Sequence, residues 1–380
     1  MAQTIIGLND AKAVKKYSGL LAVDTARKSY FSKKFMGVGE ASSMPIQLLT
    51  HLENEAGEQI TYDLSMQLRM QPVEGDNVLE GKEEGLNFYT DQVYIDQMRG
   101  GVNTGGKMSR KRTLHNLRQI ARRRQSEWWA RVFDELCFMY GSGARGINAD
   151  YIFPTTYTGF ANNALTAPDA EHILYSGQNN AATIPTSKSS ADFTAACTLT
   201  PKTIDRLVAK ATMMGGGNQG TPQIQPIMVD GAEHFVLLVS PWDAYNLRQS
   251  TTGTGNPVAW VDIQKAAAAA EGRNNPIFKG SLGMYNNVVL HEHKSVVRFT
   301  DYGNSANVAA SRCLFLGEQA MVMAFGSPGT GLRYDWHEET RDNGNQVVIT
   351  TSSIFGIKKA TFNSKDYGVI AVDCAAANPG

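Results

Sequence analysis

His291-Glu292-His293 places two imidazoles on one face of an extended segment, a spacing at which paired ring nitrogens can ligate a metal ion. No third ligand stands at a regular distance, and His-x-His in strands is commonly incidental, so no metal is assigned. GGGNQG (215–220) has the glycines of a phosphate cradle, but it lacks the GK[ST] ending and follows a helical segment instead of a strand. It reads as a flexible loop, and GSGARG (141–146) reads as a helix stop signal. Five acids, Glu74, Asp76, Glu80, Glu83 and Glu84, crowd one short stretch but depart from calcium-loop spacing. They read as a solvated tip, or one that meets a basic neighbour. The four cysteines, Cys137, Cys197, Cys313 and Cys374, are far apart in the sequence, have no CxxC pair, and read as free thiols in a reducing compartment. No Ser/His/Asp or Cys/His set can be singled out, and no cofactor motif is present. The chain reads as neither an enzyme nor a cofactor carrier.

A basic run is the remaining candidate: Arg110, Lys111, Arg112, Arg118, Arg122, Arg123, Arg124 and Arg131. Arg122–Arg124 point around a helix and cannot all face one partner. Two readings stand side by side, pairing with acids of the same or adjacent subunits, and contact with nucleic acid through charge without sequence. Lys plus Arg and Asp plus Glu are balanced at 36 each, so no global field draws the chain to DNA or to an acidic membrane. The charges are nevertheless placed in blocks. Residues 107–131 hold nine basic side chains against Glu127 alone, and 74–96 hold seven acids against Lys82. Opposed blocks in a neutral chain suit contacts between different parts of neighbouring copies.

The elements that carry these groups follow from periodicity. In ITYDLSMQLRM (60–70), Ile60, Tyr62, Leu64, Met66, Leu68 and Met70 alternate with polar residues, the pattern of a strand with one apolar face. Eleven residues at about 3.3 Å each make a strand of roughly 36 Å, longer than usual. The acidic stretch follows Pro72 as a loop, and LNFYTDQVYIDQM (86–98) reads as a return strand whose phase shift signals a bulge or bend. Residues 57–101 thus read as one long hairpin. The spacing of Leu114, Leu117, Ala121, Trp128, Val132 and Leu136 predicts a helix over 108–140, about 50 Å long.

Residues 142–199 read as a loop-rich connection draped over the body. Thr200–Pro201 opens a helix, HFVLLVSP (234–241) is a buried strand, and further strands are expected at VVLHEH, CLFLGEQ and MVMAF. DIQKAAAAAEG reads as a helix, and Asp342-Asn343-Gly344 as a hairpin turn between two closing strands. Ahead of all this, residues 9–34 read as an arm with one or two short helices. The first forty residues are basic, with little to build a core of their own, so something outside the subunit body is expected to hold them. The N-terminus has no charged-then-apolar leader pattern, and no apolar run reaches the length of a membrane span. The chain is expected to be made and kept in the cytosol.

An isolated hairpin is marginal in water, so this one needs a surface. Hairpin and arm together read as parts that reach across neighbouring copies of the chain. The order of arm, hairpin, long helix, mixed α/β region and closing strands resembles the HK97-type capsid fold of tailed bacteriophages, and more closely the major capsid proteins of N4-like phages. The resemblance rests on GDNVLEGKEEGLNFYTDQVYIDQMRGGV (75–102), LTPKTIDRLVAKA (199–211), HFVLLVSPWDAYNLR (234–248), NNPIFKGSLGMYNNVVLHEH (274–293) and SIFGIKKATFNSKDYGVIAVD (353–373).

That resemblance implies an α+β chain with an N-terminal arm (1–56) and an extended loop (57–105). It further implies a peripheral domain (106–199) carrying a spine helix at 108–140, an axial domain (200–330), and closing strands (331–380) that return to the peripheral domain. It implies hexamers and pentamers that close into an icosahedral head around double-stranded DNA, assembled in the host cytoplasm. The implied partners are further copies of the chain, a portal, scaffold or decoration proteins and the packaged DNA, with no membrane. Some members crosslink a lysine of the extended loop to another subunit; Lys82 lies in that loop, but no matching motif carries the chemistry over. The alternative is an encapsulin-like, cargo-enclosing shell of the same fold.

Overall fold

The computed structural model describes residues 11–39, 42–53, 57–65, 68, 70–86, 88–178, 184–215, 222–229, 231–250, 281–327 and 333–380. The expected helix at 262–272 and most of the GGGNQG loop lie outside them. Element labels follow chain order. A helix of 26 residues, α4 (Leu117–Ser142), lies at the centre. Asn116 caps its start by accepting from the Gln119 amide, and Gly143, at φ 67°, ends it in the left-handed region. Trp129, Val132, Phe133, Leu136, Phe138, Met139 and Tyr140 are all buried, and so are Asp134 and Glu135, so its C-terminal half is enclosed nearly all round.

The expected single helix over 108–140 is instead two. A short α3 (Lys107–Arg112) ends where Thr113 turns extended, and α4 restarts at the Asn116 cap. The competing local signal was the asparagine, which favours a cap over a helix interior. Leu114, counted on the apolar face, lies in the break and is fully exposed.

The arm also departs from expectation. Helices α1 (Ala11–Lys28) and α2 (Tyr30–Lys34) pack on α4, and Leu21, Phe31 and Phe35 enter the main core. The subunit's own body therefore holds residues 17–35. These apolar side chains enter a core that α4 and the sheets already form, with Tyr17, Ala22 and Tyr30 packed around them.

One sheet has six strands. Its path runs β1 (Met36–Val38), β2 (Ile46–Leu49), β15 (Met321–Gly326), β17 (Gln346–Lys359) and β16 (Tyr334–Arg341), and β5 (Asp96–Asn103) also pairs with β17. The β16–β17 turn is the expected one, with Asp342, Asn343 and Gly344 all at positive φ. The other sheet has eight strands. Its path is β11 (Gly283–Tyr285), β12 (Val288–Glu292), β10 (Ala232–Val239), β14 (Val308–Leu316), β20 (Val369–Ala375) and β8 (Ile173–Tyr175). Strand β13 (Val297–Tyr302) pairs with β14, and β9 (Ile227–Val229) with β10. Two small ladders, β6–β7 (Gly159–Phe160, Asn163–Ala164) and β18–β19 (Thr361–Phe362, Lys365–Asp366), complete the loops.

The main core joins α4 to both sheets, through Phe325, Ile349 and Phe355 on one side and Val236, Leu238 and Leu314 on the other. A second core lies on the far face of the eight-stranded sheet, beneath α5 (Pro201–Met213) and α6 (Pro241–Gln249). Covered on both faces, β10 must be apolar throughout, which is why HFVLLV shows no alternation. Thr200 caps α5 with Pro201 at its first position, as expected.

The sheets do not divide at residue 330. Strand β15 belongs to the six-stranded sheet, and β20 returns to the eight-stranded one. Among the described residues, no helix is long and apolar enough to cross a membrane.

Candidate assembly surfaces

The hairpin itself is β3 (Gln59–Ser65) against β4 (Phe88–Tyr94), in register from Gln59↔Tyr94 to Ser65↔Phe88. It is shorter than 57–101, because the chain bends at Ile95 and β5 leaves to pair with β17. The bulge expected between Phe88 and Val93 is absent: the ladder is unbroken there, Phe88 faces away from the buried side that carries Tyr89 and Val93, and the chain turns only afterwards, at Ile95. The hairpin's root is anchored on the same subunit. Ile60 and Val93 are buried among Leu49, Leu52, Val322, Ala324, Ala360, Phe362 and Tyr367, and Tyr62, Leu64 and Tyr89 pack on the edge of that cluster. Asp91 adds a polar clamp, accepting from Tyr62 Oη at 2.8 Å, from the Thr361 amide at 3.2 Å, and from Lys358. Burial pushes the Asp91 carboxyl up, but the bonds from Lys358 and Tyr62 outweigh it and hold the group below its usual range.

The six-residue apolar face therefore splits. Ile60, Tyr62 and Leu64 are taken up by the chain's own core, which corrects the expectation that the whole face lies on a neighbour. Leu68 remains 55% exposed and Met70 46%; Met66 lies outside the described residues. Val78, Leu79, Leu86 and Phe88 are exposed beside them. A contiguous loop carrying six exposed large apolar side chains is unusual for a surface that meets only water. Of the tip acids, Glu74, Asp76, Glu80 and Glu83 are exposed. Glu84 is half-buried and accepts from the Met70 amide at 2.7 Å, closing the loop on itself.

The basic run also splits. Arg118 bonds Glu338 at 2.6 Å, Arg122 lies 3.6 Å from Asp24, Arg124 2.8 Å from Glu127, and Arg131 3.4 Å from Glu135. Arg110 donates to the Asn345 carbonyl at 2.9 Å. These five are tied to their own subunit, while Lys111, Arg112 and Arg123 are exposed.

Among the described residues, the two histidines pack on aromatic rings. His291 is buried against Phe35 and Tyr30, and His293 stacks on Phe138 with ring centroids 4.9 Å apart. Burial, with Lys294 and Lys34 nearby, pushes the His293 imidazole down to about 4. Among the described residues, the grouping that could hold an ion lies elsewhere, at Asp243, Cys313 and Cys374. Sequence spacing could not reveal it, because only the pairing of β14 with β20 brings the two thiols together.

Comparison with known proteins turns these surfaces into a function. Residues 5–378 match the family described as phage capsid protein. The chain belongs to that family. The capsid protein is 29% identical over 376 residues to the major capsid protein of Pseudomonas phage KPP25, covering 92% of both chains. It is 47% identical to the capsid protein of Ralstonia phage GP4, with a TM-score of 0.83 over the full length of both. The Cyanophage Pam1 capsid shares the fold at 21% identity, with a TM-score of 0.68 over 93% of each chain.

The fold is thus the HK97-type capsid fold, of α+β class, and the function is that of a phage major capsid protein of an icosahedral head. The capsid protein is a virion component that assembles with other capsid chains.

Proposed function

We propose that this capsid protein closes its shell by laying the outer part of the loop, residues 68–88, on a neighbouring copy. The observation that carries this is the split of the apolar face, with an anchored root that aims the loop and an outer part that leaves Leu68, Met70, Leu86 and Phe88 exposed. Covering each such side chain contributes about 1.5–3 kcal/mol at most, a modest amount repeated at every subunit of the shell. Residues 57–105 are then the extended loop, and α4 is the spine helix of a peripheral domain closed by β16 and β17. The eight-stranded sheet with α5 and α6 is the axial domain, whose tips meet at the centres of hexamers and pentamers.

The charge blocks fit the same scheme. The acidic tip at Glu74, Asp76, Glu80 and Glu83 suits basic side chains on the next copy, and Lys111, Arg112 and Arg123 are exposed to meet it. Basic side chains left over face double-stranded DNA without reading its sequence. A portal, with scaffold or decoration proteins, completes the head in the host cytoplasm.

Negative-stain electron microscopy of the purified chain, alone and with scaffold candidates from the same genome, tests this reading. Shells, tubes or hexameric sheets are expected from the wild type. Leu68→Asp should yield folded subunits, by circular dichroism and thermal melt, that form none of these. Leu64→Asp should lower the melting temperature as well, because Leu64 packs on the subunit's own core. Normal particle yield from Leu68→Asp would sink the loop assignment.

A further inference from the structure

Cys313 on β14 and Cys374 on β20 share one face of neighbouring strands, two places out of register: Cys313 lies opposite Val372, and Cys374 opposite Ser311. Asp243, in the first turn of α6, reaches the same point from the layer above. One carboxylate oxygen and the two Sγ atoms lie within 4.8 Å of one another, and all three residues are wholly buried.

The two oxygens of Asp243 differ. Oδ2 accepts from the Ser240 amide at 3.2 Å, from Ser240 Oγ at 2.6 Å and from Ser311 Oγ, and lies 3.3 Å from Cys313 Sγ. Oδ1 is buried with no hydrogen-bond partner among the described residues. An unsatisfied carboxylate oxygen in a fully buried position is costly unless something else occupies it.

We propose that Asp243, Cys313 and Cys374 form a binding site for a thiophilic divalent cation, zinc being the type ion. Two sulfurs and one carboxylate are a donor set that suits zinc over calcium or magnesium, which take oxygen. With sulfur at about 2.3 Å and oxygen at about 2.0 Å from a tetrahedral ion, their mutual distance is about 3.5 Å. The 3.3 Å between Cys313 Sγ and Asp243 Oδ2 is a thiol-to-carboxylate hydrogen bond whose proton a bound ion would replace at nearly the same spacing. Ser240 and Ser311 act as the outer layer that fixes the carboxylate's orientation.

A disulfide is the competing use of two neighbouring thiols. Diagonal positions on an antiparallel pair are about 7–8 Å apart at the backbone, beyond the span a disulfide takes without backbone movement. An ion between the sulfurs needs no such movement.

Binding displaces the thiol protons of Cys313 and Cys374 to solvent, leaving two thiolates and the Asp243 carboxylate around the cation, with a fourth position for water. The contact between the two thiols, then burial and the neighbouring Asp243, raise Cys313; the same contact lowers Cys374, but burial and Asp243 outweigh it and leave that thiol raised too. Because both protons must leave, affinity falls as pH falls. The bound ion would staple the start of α6 to β14 and β20, the strands that join the chain's tail to the eight-stranded sheet.

The test uses the full-length chain in metal-free buffer with a non-thiol reductant, titrated with Co²⁺ and then Zn²⁺. About one Co²⁺ per chain is expected, with an intense thiolate-to-cobalt charge-transfer band that Zn²⁺ abolishes. Cys374→Ser should lose the band, Ser311→Ala should bind about 10–100-fold more weakly, and Cys197→Ser, a buried thiol outside the cluster, should match wild type. No thiolate band in the wild type overturns the proposal, even if Cys374→Ser fails to fold, and Co²⁺ bound without that band counts as an adventitious surface ion. A band unchanged in Cys374→Ser overturns it too.

Discussion

The Asp134 carboxylate, midway along α4, accepts the Tyr30 backbone amide through both oxygens, at 3.0 and 2.9 Å. Ser29 Oγ at 2.8 Å and the Phe31 amide at 3.2 Å donate to the same group. One buried carboxylate therefore satisfies the open start of α2 and fastens the arm to the central helix. The Tyr30 ring in turn packs on His293, with centroids 4.6 Å apart. The arm thus touches two titratable groups, the buried Asp134 and the half-buried His293.

Those groups oppose each other in pH. Burial raises the Asp134 carboxyl from 3.8 to about 6, so its contribution is present below the unfolded value and is lost as pH rises through 6. Burial lowers the His293 imidazole from 6.5 to about 4, so its contribution is present above 6.5 and is lost as pH falls toward 4. Each amounts to about 3 kcal/mol at most, and the slopes nearly cancel between pH 4 and 6. Asp134→Asn should therefore leave a stability that rises with pH over that window, and His293→Phe one that falls. Denaturant unfolding of the subunit at pH 4.5, 5.5 and 6.5 checks both signs; two variants with the wild-type profile would refute the pairing.

Arg118 is a structural cation. Its guanidinium bonds Glu338, which also accepts from Trp336 Nε1 at 2.8 Å, and it sits over the Tyr17 ring at 4.9 Å. Tyr17 in turn stacks on Trp336. Arg118→Ala leaves the buried Glu338 carboxylate short of its main counter-charge, and should cost about 1–2 kcal/mol, the low end because water reaches Arg118. Lys111→Ala, at an exposed side chain, should change stability by less than about 0.5 kcal/mol. Thermal melts of the two variants decide it, and equal melting temperatures would count against the assignment.

Much of this architecture is legible in the sequence, for reasons that differ by element. The β16–β17 turn is written in three residues, Asp342-Asn343-Gly344, that tolerate positive φ. The α5 start is written in Thr200–Pro201, and β10 in an unbroken apolar run. The break at Thr113–Asn116 was overridden by a longer periodicity, although the asparagine cap was there to be read. Docking of the arm was not legible: Leu21, Phe31 and Phe35 are too few to announce a core, and the groove that receives them is made by α4 and distant strands. The split of the hairpin face was hidden for a related reason. Period two shows that one side of a strand is apolar, but not how far along it the chain's own core extends. The Asp243–Cys313–Cys374 grouping exists only through strand pairing, and no spacing encodes it.

The aim of the loop depends on one close approach. At the bend between β4 and β5, the Tyr94 carbonyl accepts from Asn163 Nδ2 at 2.8 Å and passes over Gly356 of β17. A Cβ on Gly356 would sit 2.0 Å from the Tyr94 oxygen, a backbone atom already held from the other side. The bend cannot move without releasing Asn163 and the register of β5. Gly356→Ala should therefore cost about 1–3 kcal/mol as an overpacked site, and the relaxed chain should present its loop at a different angle. Gly101, on the paired β5, is the control, since its added Cβ would meet Thr350 Oγ1 at an ordinary 3.4 Å. Gly101→Ala should melt near wild type and form particles, whereas Gly356→Ala should melt lower and form few or none. Normal assembly by Gly356→Ala would show that the root does not set where the loop lands.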